Sequence, residues 1–494
     1  MKRLCQSLAF ATCCFAAGDC AKLTALAIPH VTIESAEISK AGAVESCKVK
    51  TVARPVADSE IHIEVWMPAS GWNGKFLGTG NGGYSSAMTT PMMTRAVEDG
   101  YATAGHDTGH TGGDLRFGFG HPEKVKDYAF RAVHTMTAVA KLVVHAYLGR
   151  FPDHAYFSSC SAGGHQALSE VQRYPEDYDG VIAGAPANNR LRQTFGFIWS
   201  WRALHDDAGA PLVTADQLRM VTTAAVEACD GADGVRDGLI DDPRRCGFDA
   251  GSLACDRPGA PAAPRCLSQP QIEGIRKVWA GLRSPRNGER IFAGFPKGTE
   301  AFGDAPQQSW RAYLLDPAEP MRAEALRYFL FHDPAWDWRT VDYDRDLAFA
   351  DRELSFMNAT AKDLSPFAAR GGKLLLYAGW SDPIVPAEDT IAYYDAVTKA
   401  MGGAQKTQAF ARLFVAPGMA HCAGGPGPNQ FDSLGAMDRW VTRGEAPQKL
   451  IASHTTAGKV DRTRPLCPYP MVARYRGSGS TGDAANFTCV APPK

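Results

Sequence analysis

The chain has 494 residues, 45% of them apolar and 10% aromatic, which is enough to bury a large core in one big domain with an insertion or in two domains. Its formal net charge is -1. This balanced charge gives no electrostatic basis for binding nucleic acid or an anionic membrane surface, so neither partner is predicted.

Residues 1–18 have the pattern of a secretory signal peptide. Two basic residues open the segment, the apolar run LAFATCCFAA follows, and small residues end it. We predict cleavage between Ala16 and Gly18 and a secreted or periplasmic mature protein. Lipidation of Cys13 or Cys14 is less favoured because no convincing lipobox precedes them. No later stretch approaches the roughly 18 to 20 uninterrupted apolar residues of a membrane helix.

The cysteine count supports export. Of the 13 cysteines, three lie in the predicted signal peptide. The even number that remains favours five disulfides in an exported chain, although the residues alone leave the pairing open. The absence of a CxxC spacing argues against a cysteine metal site. The remaining cysteines are Cys20, Cys47, Cys160, Cys229, Cys246, Cys255, Cys266, Cys422, Cys467 and Cys489.

A glycine-rich loop follows the first predicted strands. Residues 20–66 contain alternating apolar and polar stretches such as IHIEVWMP, which predict leading β structure. The sequence KFLGTGNGGYSS then runs from a strand into Gly82 and Gly83, in the manner of the HGGG-type loops that supply an oxyanion N–H in esterases. A plain glycine-rich turn is the alternative.

Residues 101–113 predict a buried strand that ends in a polar loop. The loop contains His106, Asp107 and His110. We favour structural hydrogen bonding over a metal or catalytic role for them, because their spacing matches no known ligand set. Residues 125–149 then predict one long amphipathic helix.

The stretch HAYFSSCSAGGHQALSEVQRY, residues 154–174, predicts a strand, a tight turn and a helix around Ser161. A serine on such a turn is a nucleophile elbow, in which the turn exposes Oγ and the N–H of Ala162 faces a developing oxyanion. The usual G-x-S-x-G pattern has glycine where this chain has Ser159. An ordinary serine-rich loop between strand and helix is therefore the alternative.

Strands that are continuous apolar runs alternate with helices around this turn, which indicates a parallel sheet covered on both faces. We predict an α/β fold: an α/β-hydrolase core with a mostly parallel sheet and a large inserted lid domain. Frequent tryptophan and proline and long loops place the lid at residues 190–364. The catalytic domain then comprises residues 19–189 and 365–494.

The sequence CDGADGVRDGLIDD lies inside the predicted lid. The carboxylates of Asp230, Asp233 and Asp237 could converge with the carbonyls of Val235 and Leu239 to give the oxygen ligands that Ca2+ prefers. The spacing differs from that of an EF-hand, and a solvated acidic turn is the alternative. The two cysteines that flank the loop could fix its ends.

Two later strand ends supply an acid and a base. GWSDPIVP places Asp382 just past a buried strand, and GMAHCAGG places His421 in the loop beyond the next one. Ser161, Asp382 and His421 follow the α/β-hydrolase order of nucleophile, acid and base. His421 would accept the Ser161 proton, and Asp382 would orient the imidazole. Asp389 lies in a helix-like run and is a less well placed acid.

The cysteines next to the nucleophile and the base provide a further prediction. Cys160 precedes Ser161, and Cys422 follows His421. If the nucleophile and the base are neighbours, these two cysteines are neighbours as well. We therefore predict a disulfide between them.

With these motifs the chain resembles the tannase and feruloyl esterase family from about Cys20 to its C-terminus. The stretches that carry the resemblance are WNGKFLGTGNGGY, DTGHTGG, EKVKDYAFRAVHTMT, CSAGGHQALSEVQRYPEDYDGVIAGAPA, CDGADGVRDGLID, GWSDPIVP, GMAHCAGG and RTRPLCPYPMVARYRGSGSTGDAANF. Two positions depart from many members, which carry glycine and arginine where this chain has Ser159 and His165.

The resemblance implies specific roles for residues of this chain. Its CS-D-HC arrangement falls on Cys160 with Ser161, on Asp382, and on His421 with Cys422. Its lid calcium site falls on Asp230, Asp233, Asp237 and the carbonyls of Val235 and Leu239. Its disulfides imply the pairs Cys20–Cys47, Cys160–Cys422, Cys229–Cys246, Cys255–Cys266 and Cys467–Cys489.

The function that follows is a secreted serine carboxylesterase for esters of hydroxycinnamic or gallic-type aromatic acids, with an acyl-enzyme on Ser161. The N–H groups of Ala162 and of Gly82 or Gly83 would form the oxyanion hole. Calcium would be structural, no organic cofactor is expected, and the protein would be a monomer or homodimer. The lid tryptophans suit a planar acyl group, although such residues more often form lid core. They are Trp199, Trp201, Trp336 and Trp338.

Three alternatives to this function remain. The first is activity like that of a mono(2-hydroxyethyl) terephthalate hydrolase, since a few bacterial family members act on that ester. The second is a serine peptidase of the same fold. The third is a calcium-stabilised protein that binds aromatic or glycan ligands without turnover.

Overall fold

The computed structural model describes residues 18–492, so the predicted signal peptide lies outside the described residues apart from Gly18. The strands of its central sheet are β1 (Val31–Ala41), β2 (Val44–Ala53), β3 (Ile61–Pro68), β4 (Lys75–Thr79), β5 (Ala102–His106), β6 (His154–Cys160), β7 (Gly180–Gly184), β10 (Lys373–Gly379) and β11 (Ala411–Ala416). They form a 9-stranded sheet in the order β1-β2-β3-β5-β4-β6-β7-β10-β11. The edge formed by β1, β2 and β3 is antiparallel, and the strands from β5 to β11 in that order are parallel.

The remaining elements are helices and short strands. The helices are α1 (Thr90–Glu98), α2 (Pro122–Lys126), α3 (Ala132–Leu148), α4 (Ala162–Arg173), α5 (Arg190–Ala203), α6 (Ala215–Cys229), α7 (Gln269–Ala280), α8 (Ala323–Ala325), α9 (Arg345–Glu353), α10 (Ser365–Ala369), α11 (Ala387–Ala400), α12 (Ala404–Gln408) and α13 (Ser433–Arg443). The short strands pair as β8 (Leu282–Arg283) with β9 (Arg290–Phe292), β12 (Leu450–Thr456) with β13 (Lys459–Leu466), and β14 (Val472–Tyr475) with β15 (Phe487–Val490).

Both faces of the parallel strands are buried. Phe157 and Leu374 belong to the core formed with α3, α4 and α11. Their neighbours Tyr156 and Leu375 belong to the opposite core, in which Met437 of α13 packs. Successive side chains of a strand point to opposite faces, so continuously apolar strands need helices on both sides. This arrangement places the carboxyl ends of the parallel strands at one edge, where the site is built.

The helix predicted over residues 125–149 is interrupted. A wide π turn over Asp127–Arg131 separates α2 from α3. The buried carboxylate of Asp127 accepts a hydrogen bond from Ser59 Oγ at 2.7 Å and another from Arg131 at 2.9 Å. The contact with Ser59 joins residues 68 positions apart in sequence, so helical periodicity alone does not indicate the interruption.

The segment between β7 and β10 contributes no strand to the central sheet, and it contains α5 to α10 with the β8–β9 hairpin. Its two ends are joined to each other. The N–H of Ala359 donates to the Asn188 carbonyl at 2.8 Å, and the N–H of Leu191 donates to Asn358 Oδ1 at 3.2 Å. The insertion therefore leaves and re-enters the core at one place. Its division from the core at 190 and 364 stays a prediction.

All five implied cysteine pairs are bonded in this structure. They are Cys20–Cys47, Cys160–Cys422, Cys229–Cys246, Cys255–Cys266 and Cys467–Cys489. Among residues 18–492, no helix has the length and apolar character that crossing a membrane requires.

Candidate active site

Ser161 stands between the end of β6 and the start of α4, with φ 65° and ψ -121°. These backbone dihedral angles are strained for a residue other than glycine, and such strain is typical of a nucleophile elbow. A Cβ on Gly163 would lie 1.9 Å from Ser159 Oγ, and one on Gly164 would lie 2.3 Å from the Gly184 carbonyl oxygen. Ser159 therefore fits in place of the usual glycine because position 163 has no side chain.

The predicted acid and base are in direct contact. Asp382 follows β10, is fully buried, and has Oδ2 2.7 Å from His421 Nδ1. Its Oδ1 accepts the N–H groups of Ile384 at 2.8 Å and Val385 at 2.9 Å, which fix the carboxylate. With Nδ1–H donated to Asp382, the other imidazole nitrogen is left to accept a proton. Asp389 lies in α11, where burial raises its pKa to about 7.

Ser161 and His421 lie in the wall of one cavity of about 520 Å³. The Cys160–Cys422 disulfide, with Cα atoms 5.8 Å apart, joins the residues next to them. No hydrogen bond joins the Ser161 hydroxyl to His421 in this structure, and Ser161 is 9% exposed. Such catalytic hydrogen bonds commonly tighten only when substrate is bound.

The same cavity has aromatic walls that the sequence did not identify. Beside Ser161 and His421 its lining includes Gly82, Gly83, Tyr84, Met92, Gln307 and Tyr313. Tyr313 and Gln307 come from the insertion and belong to no recognisable motif, so no signal in the sequence indicates them. The four lid tryptophans are not part of this wall, and Trp201 and Trp338 are buried in the core of the insertion.

The glycine-rich loop lines the same cavity as Ser161. Gly82 and Gly83 line the cavity, and Gly83 has φ 57°. The N–H groups of Gly82 and Gly83 donate to no backbone carbonyl within residues 18–492. Ala162 begins α4, where the first N–H groups of a helix lack an internal partner. These groups can therefore stabilise an oxyanion next to Ser161.

Comparison with known proteins assigns the chain to a family. The sequence profile described as tannase and feruloyl esterase matches residues 47–490. The chain belongs to this family. An uncharacterized esterase of Xanthomonas campestris pv. campestris is 36% identical over 98% of this chain and 93% of its own length. The mono(2-hydroxyethyl) terephthalate hydrolase of Piscinibacter sakaiensis is 34% identical over 88% of this chain and 82% of its own.

The solved structures agree with the family assignment. The crystal structure of feruloyl esterase B from Aspergillus oryzae superposes with a TM-score of 0.89 at 28% identity, covering 95% of this chain and 99% of that chain. The α/β-hydrolase fold and the family are thus confirmed, and the chain is a carboxylic ester hydrolase. This class argues against the peptidase and binding-protein alternatives.

Three histidines of the esterase near the site have structural hydrogen bonds. His106 Nδ1 accepts the N–H of Thr108 at 3.1 Å, and burial lowers its pKa to about 3. His110 Nε2 lies 2.9 Å from the Tyr84 carbonyl oxygen, which can only accept. His165 Nε2 lies 2.9 Å from a backbone carbonyl of the insertion, and burial lowers its pKa to about 4. They stay neutral near pH 7 and position backbone.

The acidic loop of the insertion is closed by hydrogen bonds. Asp230 Oδ1 accepts the N–H of Asp237 at 2.9 Å and the N–H of Leu239 at 3.2 Å. The carboxylate of Asp237 pairs with Arg464. Asp230, Asp233 and Asp237 do not form a group whose carboxylate oxygens all lie within 4.8 Å of one another.

The donors of this loop nevertheless fit calcium in type and charge. Burial and the negative charge of Asp233 raise the pKa of Asp241 to about 7. Burial and the negative charge of Asp237 raise the pKa of Asp233. Repulsion between buried carboxylates is relieved by a hard cation with oxygen ligands. Asp241 is a further carboxylate of the same motif, beyond the predicted ligands.

Another group of side chains can offer three ligands to a metal ion. Among residues 18–492, the ligand atoms of His134, Glu170 and Asp177 all lie within 4.8 Å of one another. His134 Nδ1 is 2.6 Å from Asp177 Oδ2, while neither oxygen of Glu170 has a hydrogen-bond donor. Burial and the neighbouring Asp177 raise the pKa of Glu170 well above its usual value. A protonated Glu170 that donates to Asp177 accounts for this arrangement without a metal.

Glu170→Gln is expected to stabilise the esterase increasingly as pH rises from about 5 to 8. Because the pKa of Glu170 is raised in the folded state, its contribution to the free energy of unfolding is fully present below the ordinary pKa of glutamate. This contribution is lost as the pH rises through the folded pKa. Glutamine mimics the protonated acid and removes this decline. The melting temperature should rise relative to wild type by about 1 to 2 °C at pH 8, the scale expected for about 1 kcal/mol in a chain of this size.

Glu176→Gln is the control, because Glu176 is an exposed glutamate in the turn that follows α4. Its melting temperature should follow wild type at each pH. A lower melting temperature for Glu170→Gln at every pH, together with a Zn2+-dependent rise in wild type, would instead establish a metal site.

Proposed function

We propose that this esterase hydrolyses esters of hydroxycinnamic or gallic-type aromatic acids through an acyl-enzyme on Ser161. The observation that carries the proposal is the Asp382–His421 contact of 2.7 Å beside a cavity that Ser161 and His421 share. His421 takes the Ser161 proton as Oγ attacks the ester carbonyl, and it then protonates the leaving alcohol. Water attacks the acyl-enzyme in the same way, with His421 again as the base.

The oxyanion of each tetrahedral intermediate faces the N–H groups of Ala162 and of Gly82 or Gly83. These donors are fixed before the reaction, so they stabilise developing charge with little reorganisation. Asp382 holds the imidazole in the tautomer that accepts the serine proton and stabilises the imidazolium that forms.

The aromatic walls support a planar acyl group. Tyr84 and Tyr313 line the cavity that contains Ser161, and aromatic rings favour offset or edge-on contact with another ring. A relative named as a mono(2-hydroxyethyl) terephthalate hydrolase, 34% identical, makes that aromatic ester the second candidate substrate.

The test is hydrolysis of methyl ferulate, methyl gallate and mono(2-hydroxyethyl) terephthalate by the oxidised mature protein. The proposal is supported if kcat/KM is higher for methyl ferulate or methyl gallate than for mono(2-hydroxyethyl) terephthalate. A higher kcat/KM for the terephthalate ester selects the second candidate. No turnover of any of the three by a folded protein would refute both.

Export into an oxidising compartment is the location we propose. The five disulfides of the structure require such a compartment to form and persist. The signal pattern of residues 1–18 provides the route. Whether the product is a monomer or a homodimer stays a prediction.

We also propose that Ca2+ binds the acidic loop through Asp230, Asp233, Asp237 and the carbonyls of Val235 and Leu239. Bound calcium would neutralise the carboxylates and stabilise the loop. Asp237 would then share its carboxylate between the ion and Arg464.

Calcium is expected to raise the melting temperature relative to EGTA. At a free concentration about 100 times Kd, binding to the folded state alone contributes about 2.7 kcal/mol. Asp233→Asn should lose most of this gain while melting no lower than wild type in EGTA, because the substitution removes a repelling charge. Differential scanning calorimetry at matched ionic strength measures both.

Asp207→Asn, an exposed aspartate elsewhere in the insertion, should keep the full calcium gain. Equal melting temperatures in calcium and EGTA for wild type would refute the site.

A further inference from the structure

The oxyanion loop has one carbonyl group with two side-chain donors. The Gly83 carbonyl oxygen accepts the Tyr128 hydroxyl at 2.7 Å and Arg190 Nη2 at 3.0 Å. We propose that Arg190 and Tyr128 are positioning residues for the oxyanion hole, which hold this carbonyl away from the acyl oxygen so that the loop presents N–H groups to it. The inference rests on the proposed serine mechanism.

The loop needs an external constraint because of its own sequence. Gly82 and Gly83 carry no Cβ, so the peptide groups between residues 82 and 84 can reverse at low steric cost. A reversed peptide would direct a carbonyl oxygen at the oxyanion and repel it. Since a trans peptide is planar, fixing the Gly83 carbonyl also fixes the direction of the Tyr84 N–H. The preceding peptide, which carries the Gly83 N–H, is held through the Gly82 carbonyl, which accepts the N–H of Ser85 at 2.9 Å. Two donors on one carbonyl oxygen therefore select one of two loop conformations.

Arg190 is an unusual residue to bury for packing alone. It is 2% exposed, and its Nε and Nη1 have no partner in the described part of the chain. Its guanidinium lies 4.6 Å from the ring centre of Tyr84 and 5.2 Å from that of Tyr128. A buried cation with so few hydrogen bonds is costly, and its contact with Gly83 provides a functional reason for the cost.

Neighbouring carbonyls of the loop are held in a similar way. The Tyr84 carbonyl accepts His110 Nε2 at 2.9 Å, and the Gly80 carbonyl accepts Thr89 Oγ1 at 3.2 Å. Arg190 differs from these groups because it begins α5, the first helix of the insertion. The insertion thereby acts on the catalytic machinery as well as covering it.

The experiment compares Arg190→Met and Tyr128→Phe with wild type on methyl ferulate. Each variant removes one donor and keeps most of the packing. We expect kcat to fall about 10- to 100-fold, less than the loss of an oxyanion donor itself, and KM to change less than about threefold. Affinity for an aryl boronic acid, which forms a tetrahedral adduct with the serine, should fall with kcat. The double variant should lose less than the product of the single effects, because both donors act on one carbonyl.

Matched controls separate positioning from general stability. Arg412→Met removes another buried guanidinium that donates to a carbonyl, that of Pro447 at 2.6 Å. Tyr394→Phe removes another buried hydroxyl, which donates to the Ala411 carbonyl at 3.2 Å. Both should lower the melting temperature while leaving kcat and boronic acid affinity within about twofold of wild type.

Hydrogen exchange of two hydrogen-bonded amides of the loop provides a readout that needs no chemistry. The Asn81 amide donates to Gln166 Oε1 at 3.0 Å, and the Ser85 amide donates to the Gly82 carbonyl at 2.9 Å. Exchange should accelerate in Arg190→Met and Tyr128→Phe and stay at the wild-type rate in the controls. Unchanged kcat and unchanged exchange in both variants, or a change in KM alone, would overturn the inference. Hydrolysis that persists in Ser161→Ala would refute the serine mechanism separately, and the exchange rates would still decide whether these side chains hold the loop.

Discussion

Ser161→Ala is expected to lower kcat for methyl ferulate by roughly 10⁴- to 10⁶-fold. The substitution removes the hydroxyl that we propose attacks the ester carbonyl, while the cavity and its N–H groups remain. KM should therefore change little, and the residual rate reflects the oxyanion hole and binding alone. Stopped-flow or discontinuous product assays on the purified variant measure the loss.

His421→Ala should lower kcat by about the same factor as Ser161→Ala. The double variant should lower kcat no further than either single variant, because the proposed nucleophile and base act as a unit. Ser169→Ala is the matched control, since Ser169 is a buried serine on α4, the helix that follows Ser161. Its kcat should stay within about twofold of wild type. An organophosphonate that labels a serine other than Ser161 would contradict the assignment.

The second large effect is expected from the disulfide beside the active site. Cys160→Ala/Cys422→Ala opens a covalent loop with a sequence separation of 262. Loop-closure entropy gives about 5 kcal/mol for a loop of this length, as an upper value. Because the bond joins the residues next to Ser161 and His421, we also expect kcat to fall in the folded variant. Urea unfolding and initial rates at low denaturant measure the two effects separately.

Cys255→Ala/Cys266→Ala opens a much shorter loop, with a sequence separation of 11. The same entropy argument gives about 3 kcal/mol. The kcat should stay at the wild-type level because neither cysteine lines the cavity that contains Ser161. Equal kcat in the two double variants would show that the longer disulfide contributes to stability only.

The strand ends of the core could be predicted from sequence because they follow simple local rules. Continuous apolar runs mark the strands before Ser161, Asp382 and His421, and parallel strands bring their carboxyl ends together. The position of the Cys160–Cys422 disulfide then follows from adjacency along the chain. Local pattern and chain order are sufficient for these features.

The contacts made by the insertion could not be predicted in the same way. Tyr313 reaches the cavity, and Arg190 reaches Gly83, through tertiary packing that leaves no periodic signal. The abundance of tryptophan in the insertion was visible, but Trp201 and Trp338 fill its own core. Large apolar rings gain much free energy from burial, and the rings that line the cavity, Tyr84 and Tyr313, come from other positions.

The joined ends of the insertion give the fold a modular character. Because Asn188 and Ala359 are hydrogen-bonded neighbours, a segment of well over a hundred residues can be regarded as a cassette attached at a single seam. We expect recombination of such cassettes between related esterases to leave the sheet intact, provided that the hydrogen bond between Asn188 and Ala359 is kept. A recombined cassette would also need an equivalent of Arg190. Without that guanidinium, the new insertion would line a pocket beside a less ordered glycine-rich loop.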